Sequence, residues 1–536
     1  MSGRTRTAAT RRAPVLAHAL ALLLAVGLAV TGCTTVEGTS TSPGASSTSP
    51  SQQPDAEAPS EFAARLSVTR HRGGQRVIAA SGAPATDHGA TLLREGNSTR
   101  LWWCGRTGGT KRAGTKRAGS KHASRASQAS RTSTVILHGS ARSPGGPFTG
   151  AGGTKRGKKS GATASTVLSG GKRGFDAAHT CDPSVIKVDG VYYLYYTGTT
   201  GKPSTGNAIG VATSKDGLRW RRANGGAPIV RPAQPKRNGY GAGRPAVVHL
   251  DGWFYLLFSD STDSPGKSAG QYLLRSRDPA FRKQVQAIGA RGFRPVQGTG
   301  ASRTRSIADA ADADLMWVDL LDAFAIAHQT GTGTTLTFWD RGFNEHPNAP
   351  VTVRGPGSDD PGLVRTLAGH ALRSERDPCG AVPVDLVRAA RATSKRPGLR
   401  HVGVDLGGAP GCADRADALR LLDGYAFPSP EHTMDLIVDG ELIRVERRSV
   451  ATILASNGVL ARRPQLPGIG VTARLNSGAP VLRSRDGQTG LLLDDGRLWP
   501  LRMPALAKRI ARRNESAVRT AGDIAWGTYP VASVLG

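Results

Sequence analysis

The stretch Cys181-Asp-Pro-Ser-Val-Ile-Lys-Val-Asp-Gly-Val-Tyr-Tyr-Leu-Tyr-Tyr-Thr-Gly198 decides the fold. Ser184 to Val188 reads as a strand. Asp189-Gly190 is a two-residue hairpin turn, and the aromatic-rich run after it is a second, antiparallel strand. Ala208-Ile-Gly-Val-Ala-Thr-Ser214 predicts a third strand. Lys215-Asp216-Gly217 then turns the chain into a short fourth strand around Trp220. The result is one four-stranded antiparallel unit.

The same order recurs on both sides. Downstream, Arg244-Pro-Ala-Val-Val-His-Leu-Asp-Gly-Trp-Phe-Tyr-Leu-Leu-Phe-Ser-Asp260 repeats it, followed by Gln271 to Asp278. Upstream, Asp87 to Gly96 precedes Arg100-Leu-Trp-Trp-Cys-Gly105. Further copies open at Asp314 and, more weakly, at Asp360. A short antiparallel sheet cannot bury its own faces, so repetition of such a unit predicts a β-propeller. A β-sandwich would not reuse one opening motif. The step from Asp87 to Asp182 is the longest because Thr110-Lys-Arg-Ala-Gly and Thr115-Lys-Arg-Ala-Gly interrupt it, in a low-complexity insert spanning about 106–133. Such a segment is expected to be a solvated surface loop.

The stretch around this insert carries about half of the excess charge. The net charge is +31 over 536 residues, and the stretch from Asn97 to Phe175 holds 16 Lys and Arg with no Asp or Glu. This charge sits in Gly/Ala/Ser/Thr sequence without interleaved aromatics, which argues against a nucleic-acid-binding domain. An apolar content of 38% excludes a polytopic membrane protein, and 69 glycines with 33 prolines favour many tight turns over a helical bundle.

Arg4, Arg6, Arg11 and Arg12 precede an apolar run from Val15 to Val30, which ends in Val30-Thr-Gly-Cys33. Charged, apolar and small-residue regions in this order make a secretory signal, with a core short for a membrane span. The tetrapeptide resembles a bacterial lipobox, which implies lipidation of Cys33. Residues 1–32 are then a signal peptide and 33–60 a Ser/Thr/Pro/Gly tether. Four cysteines remain, Cys104, Cys181, Cys379 and Cys412, an even number in an oxidising compartment. They lack the spacing of a zinc site, so disulfides are expected, with three pairings open to them.

Asp182-Pro-Ser-Val-Ile, Asp-Gly, Tyr-Tyr-Leu-Tyr-Tyr and Ser214-Lys-Asp-Gly-Leu-Arg-Trp220 together resemble the five-bladed β-propeller glycoside hydrolases, closest in character to the family 43 arabinofuranosidase and xylosidase group. The resemblance covers about Asp87 to Leu406. The Trp-Met-Asn-Asp-Pro-Asn-Gly signature of the fructan-cleaving relatives is missing. The group gathers a base Asp, a pKa-tuning Asp and a general-acid Glu at the axial funnel. An inverting step needs one ionised and one protonated carboxyl, held apart around the scissile bond. Carried over, the resemblance places the base at Asp87 and a carboxylate at Asp182. The Glu-Gly-Pro expected at the third blade is Gly243-Arg244-Pro245, so the acid must come from Asp312, Asp314 or Glu345. His88 and His179 flank blade openings and are candidates for sugar hydroxyls; Arg244 is a candidate for an anionic group. An Asp before Pro also caps turns, so each carboxylate has a purely structural alternative. Because blade openings converge on the axis, Cys104 is expected to pair with Cys181, which leaves Cys379 to pair with Cys412.

After Cys412 the pattern changes. Leu436 to Ala451 matches Leu492 to Ala507, each a hairpin closed by Asp-Gly and then a short amphipathic helix. The expected architecture is therefore an all-β, five-bladed β-propeller over 61–411 and a small C-terminal α+β module of duplicated ββα units over 412–536. The expected activity is glycoside hydrolysis by a monomer lipid-anchored on the outer face of the cell membrane, acting on arabinose- or xylose-containing glycans. The alternative is a catalytically silent glycan-binding or envelope-polysaccharide assembly lipoprotein. No metal, cofactor or nucleic acid is expected.

Overall fold

The computed structural model describes residues 63–79, 87–106, 133–150, 164–201, 205–234, 239–260, 270–301, 303–355, 360–389, 398–522 and 526–536. Cys33, the tether and most of the basic insert lie outside them. Among the described residues no helix is long and apolar enough to cross a membrane.

The architecture is predominantly β. Strand β1 is Ser67–Ala79. A first meander follows in β2 (His88–Glu95), β3 (Ser98–Arg106), β4 (Thr134–Ala141) and β5 (Ser165–Leu168). The second is β6 (His179–Val188), β7 (Val191–Thr199), β8 (Ala208–Ser214) and β9 (Arg221–Arg222). The third comprises β10 (Ala242–Leu250), β11 (Trp253–Asp260), β12 (Gln271–Ser276), β13 (Gln286–Gly289) and β14 (Gly292–Pro295). The fourth is β15 (Ala313–Val318), β16 (Ala323–Thr330), β17 (Gly333–Trp339) and β18 (Val351–Arg354). The last runs through β19 (Gly362–Arg365), β20 (Ala381–Ala389) and β21 (Gly398–Gly407), and β1 supplies its outer strand.

The Asp-Gly turns work as the sequence suggests. Asp189 and Gly190 have φ of 48° and 77°, and Asp251 and Gly252 have 50° and 76°. Left-handed backbone at both turn positions matches the twist of the flanking strands.

Each meander lays its first strand against the first strand of the next, and β19 runs parallel beside β2. The packing order is therefore cyclic. Separate apolar clusters fill the gaps between neighbours. Val185 and Leu194 meet Leu93 and Trp102, for example, and Ile186 and Tyr195 meet Val247 and Leu256. Pairing of β1 with β21 ties the beginning of the described chain into the last meander, so the ring is closed by backbone hydrogen bonds. Arg106 pairs with Thr134, so the basic insert leaves and returns at one point on the edge of the β3–β4 hairpin.

The helix α1 (Arg415–Leu421) leads into two copies of one unit. In the first copy, β22 (Tyr425–Pro428), β23 (Met434–Val438) and β24 (Glu441–Val445) form a meander. Helix α2 (Arg448–Leu454) crosses back, and β25 (Gly458–Val459) lies parallel to β22. Next, β26 (Ala473–Leu475) lies parallel to β24. The second copy repeats this with β27 (Val481–Arg483), β28 (Thr489–Leu492), β29 (Leu498–Pro500), α3 (Ala507–Arg513) and β30 (Val518–Thr520). Val531 and Leu535 run parallel beside β29. Leu436, Val450, Leu454, Val481, Leu491, Trp499 and Ile510 share one core. The outer face of the first copy, with Tyr425, Phe427 and Leu442, packs with Leu320, Val382 and Leu406 of the ring.

Candidate active site at the ring axis

The first strands of three meanders carry the same irregularity near their beginnings. Pairing slips between His88 and Thr91, between Cys181 and Ser184, and between Gly243 and Ala246. Inside each slip one residue takes left-handed backbone: Gly89 at φ 55°, Asp182 at 46° and Arg244 at 55°. Asp360, just before β19, has φ 65°. A bulge of this kind re-aims one side chain out of the alternating pattern, here toward the axis. Left-handed backbone at Asp and Arg costs energy, and such strain concentrates at functional sites.

Below the bulges a single side chain ties the ring together. Arg365 on β19 is fully buried. Its guanidinium donates to Thr91 Oγ1 on β2 at 2.8 Å, to Ser184 Oγ on β6 at 3.4 Å, and to the carbonyls of Val247 and Leu315 on β10 and β15 at 3.1 and 2.7 Å. It also lies 3.3 Å from Asp314 Oδ1. The loop after Arg365 continues across the same end, where Leu367, Ala368 and Gly369 accept hydrogen bonds from Lys187, His249 and Trp317. The axis is thus plugged at one end and open at the bulges.

Three carboxyl groups and one guanidinium converge at the open end. Asp182, Arg244, Asp312 and Asp360, with Gly89 and Asp314, line a small pocket of about 40 Å³. Arg244 Nε contacts Asp312 Oδ1, its Nη1 donates to the carbonyl of Ala311 at 3.0 Å, and its guanidinium stands over the Tyr240 ring at 4.9 Å. Thr197 Oγ1 accepts from the Arg244 backbone N–H at 2.8 Å and fixes the bulge.

Burial pushes the Asp312 carboxyl well above the usual carboxylate range, and the adjacent Asp360 adds to the effect through charge and a hydrogen bond. Arg244 opposes this and favours the ionised form, but burial and Asp360 outweigh it at Asp312. Burial also raises Asp182. His88, Arg244 and Thr197 work against this, and Asp360 reinforces it. Burial opposes the charge on Arg244, but Tyr240, Asp312, Asp360 and Asp182 more than offset it, so the guanidinium stays ionised. Buried carboxyls whose protonated form is favoured, beside a fixed cation, are groups suited to general acid–base work.

A second cavity of about 260 Å³ adjoins the first through Asp182 and Arg244; His88, His179, Asn207 and Tyr240 are among its walls. Cys104 and Cys181 are disulfide-bonded beside it, joining β3 to β6, and Cys379 is bonded to Cys412. Both expected pairings are borne out. His88 Nε2 lies 3.3 Å from Cys181 Sγ and 3.9 Å from Asp182 Oδ1. His179 Nδ1 accepts from the Thr134 backbone N–H at 3.1 Å.

The sequence candidates separate on this geometry. Asp182, Arg244, His88 and His179 come together. Asp87 does not hold the bulge position of the first meander, which belongs to Gly89 two residues on. Asp87 is buried and accepts from Trp103 Nε1 at 3.3 Å. Asp314 lies on the pocket floor, but its carboxylate is engaged by Arg365 and by the backbone N–H groups of Leu363 and Leu315 at 2.8 and 2.9 Å. It holds the ring. Glu345 is exposed in the loop between β17 and β18, where its N–H donates to Asp340, and it is not among the residues lining either pocket. Sequence reading missed Asp360 as a site residue, although Asp360-Pro361 repeats the Asp-Pro of Asp182-Pro183. Tyr240 has no motif around it; only the fold brings it to the axis.

No family model and no curated protein matches the chain. Several solved structures resemble it in fold. A family 117 glycoside hydrolase, Zg3597 of the marine bacterium Zobellia galactanivorans, shares 10% identity, covering 65% of this chain and 92% of its own at a TM-score of 0.40. The Bacillus subtilis arabinanase Arb43A shares 16% over 42% of this chain and 71% of its own, with a TM-score of 0.29. The catalytic domain of the Coprinopsis cinerea family 62 α-L-arabinofuranosidase shares 8% over 64% and 98%, with a TM-score of 0.36.

Proposed function

We propose that the ring is a five-bladed β-propeller of glycoside-hydrolase type that cleaves a glycan at the axial pocket, carried on a lipoprotein anchored through Cys33 to the outer face of the membrane. The observation that supports it best is the carboxyl set. Asp182, Asp312 and Asp360 line one pocket with Arg244, and burial together with the Asp360 charge favours the protonated form of Asp312. In this reading protonated Asp312 donates to the leaving oxygen, and Asp182 in its ionised form activates water. Arg244 keeps the remaining negative charge tolerable in a buried site. The wider cavity beside Asp182 receives the sugar, with His88 and His179 in reach of its hydroxyls, and arabinose- or xylose-containing glycans are the first substrates to test.

A second reading is favoured by a specific observation. The bulge positions of the first and third meanders, which aim a side chain at the axis, carry Gly89 and Arg244 in place of carboxylates. This describes a propeller that binds a glycan without cleaving it. A panel of nitrophenyl glycosides and polysaccharides separates the two, assayed with the wild type, Asp182→Asn and Asp312→Asn. Turnover that both substitutions abolish while glycan binding survives supports the hydrolase. Binding without turnover in the wild type supports the silent propeller.

A further inference from the structure

We propose that reduction of the Cys104–Cys181 disulfide opens a binding site for a thiophilic divalent cation, zinc fitting best, built from His88, Cys104, Cys181 and Asp182. His88 Nε2 and the two Sγ atoms lie within 4.8 Å of one another. The imidazole is already 3.3 Å from Cys181 Sγ and 3.9 Å from Asp182 Oδ1. Tetrahedral zinc, with Zn–S near 2.3 Å and Zn–N near 2.0 Å, sets neighbouring ligand atoms roughly 3.5 Å apart. The spacing of His88 Nε2 to Cys181 Sγ thus approaches zinc geometry, and completing the site needs the sulfurs to separate and the Asp182 carboxylate, which lies outside the His88–Cys104–Cys181 group, to close on the metal.

The backbone holds these groups in place without the disulfide. His88 pairs directly with Cys104 across β2 and β3, and Cys181 and Asp182 are adjacent on β6. A donor set of two sulfurs, one nitrogen and one oxygen selects zinc over calcium or magnesium, which take oxygen ligands.

The chemistry balances with a dithiol as reductant. The dithiol gives up two electrons and two protons and becomes a disulfide, while the Cys104–Cys181 bond breaks to two thiols. Zinc binding then releases both thiol protons to solvent and draws Asp182 onto the metal, away from Asp312 and Asp360. The proposal goes beyond the glycosidase reading and does not depend on it.

The test uses the full chain carrying Cys33→Ser, Cys379→Ser and Cys412→Ser, so that Cys104 and Cys181 are its only cysteines. After phosphine reduction, Co²⁺ is titrated in without oxygen and then displaced by Zn²⁺. The expected result is one equivalent bound, with thiolate-to-cobalt charge-transfer and tetrahedral ligand-field absorption. The signal should be lost in Cys181→Ser, and binding should weaken tenfold or more in His88→Ala and in Asp182→Asn. An unreduced sample giving the same spectrum, a reduced chain that unfolds by circular dichroism or gives no charge-transfer band, or undiminished binding in His88→Ala would overturn the proposal. No outcome depends on glycosidase activity.

Discussion

Replacing Arg365 with Met should destabilise the ring by about 4 kcal/mol. The side chain is fully buried and reaches all four other first strands through Thr91, Ser184, Val247 and Leu315. Removing one partner of a buried ion pair costs about 3–5 kcal/mol, because the other charge remains desolvated. The carbonyls of Val247 and Leu315 lose a donor as well, at about 1 kcal/mol or more each. The Asp314 carboxylate still accepts from the N–H groups of Leu363 and Leu315, which offsets part of the loss. The double variant Asp314→Asn/Arg365→Met removes the orphaned charge and should recover about 2 kcal/mol. Burial already raises Asp314 with Arg365 beside it, and loss of the guanidinium raises it further. A carboxyl whose folded pKa lies above its unfolded value costs stability increasingly as pH climbs from the unfolded value to the folded one. The deficit of Arg365→Met relative to wild type should therefore shrink as pH falls from 7 toward 4. Urea unfolding followed by tryptophan fluorescence measures both quantities. A loss below about 1 kcal/mol, or equal losses in the single and double variants, would refute the view that Arg365 and Asp314 act as a pair at the centre of the ring.

Further tests address the bulge, the insert and acid stability. Gly89→Ala meets left-handed backbone at φ 55° and would set its Cβ 3.0 Å from Asp182 Oδ1, whereas Gly96→Ala meets the same conformation at 54° with nothing within 4 Å. Both should lose about 1–2 kcal/mol from conformation, and only Gly89→Ala should shift the titration of Asp182; equal behaviour would place Asp182 away from the bulge. Deleting Thr110 to Ser130 should leave the melting temperature unchanged within about 2 °C, because the segment springs from the directly paired Arg106 and Thr134 and loop length costs little entropy; a drop of several degrees would mean that it packs. His138 is buried, and desolvation, helped by Arg100, lowers its pKa to about 3. The unfolded chain takes up that proton first, so this histidine should erode stability by about 1.4 kcal/mol per pH unit from pH 6.5 downward. His138→Gln should flatten the slope between pH 6.5 and 4, and an unchanged slope would show that this histidine is not the source.

The strands were legible where turn chemistry and alternation agreed. Asp189-Gly190 and Asp251-Gly252 specify their hairpins locally, and Ala208 to Ser214 is a strand with the bounds its apolar run suggests. The Cys104–Cys181 disulfide was legible once neighbouring strand beginnings were known to converge. The site was only partly so. Asp182 could be read because Asp-Pro precedes a regular strand, whereas Asp87 looked equivalent and is not. A bulge shifts the inward-facing position by residues that pattern reading cannot count, so Gly89 holds the place expected of Asp87. Asp314 had the right residue type one alternation away from Asp312, and its partner Arg365 lies 51 positions further along the chain. No local signal announces such a pairing. In the C-terminal repeat the hairpin and helix were visible, but β22, β25, β27 and β30 are short strands whose pairing depends on tertiary placement.

The axis shows how one backbone device can carry different chemistry. Gly89, Asp182 and Arg244 share nearly the same left-handed φ, within 46° to 55°, so the bulge itself is independent of the side chain. What varies is the group that it aims inward. Placing carboxylates at all three would gather their charge with Asp312 and Asp360 in one buried pocket, where like charges suppress one another's ionisation. Arg244 changes that balance. As a permanent cation it favours an ionised carboxylate beside it, against the burial and the Asp360 charge that favour the protonated form of Asp312. Substituting Arg244 by Met should therefore raise the proton occupancy of Asp182 and Asp312, and substituting it by Glu should raise it further.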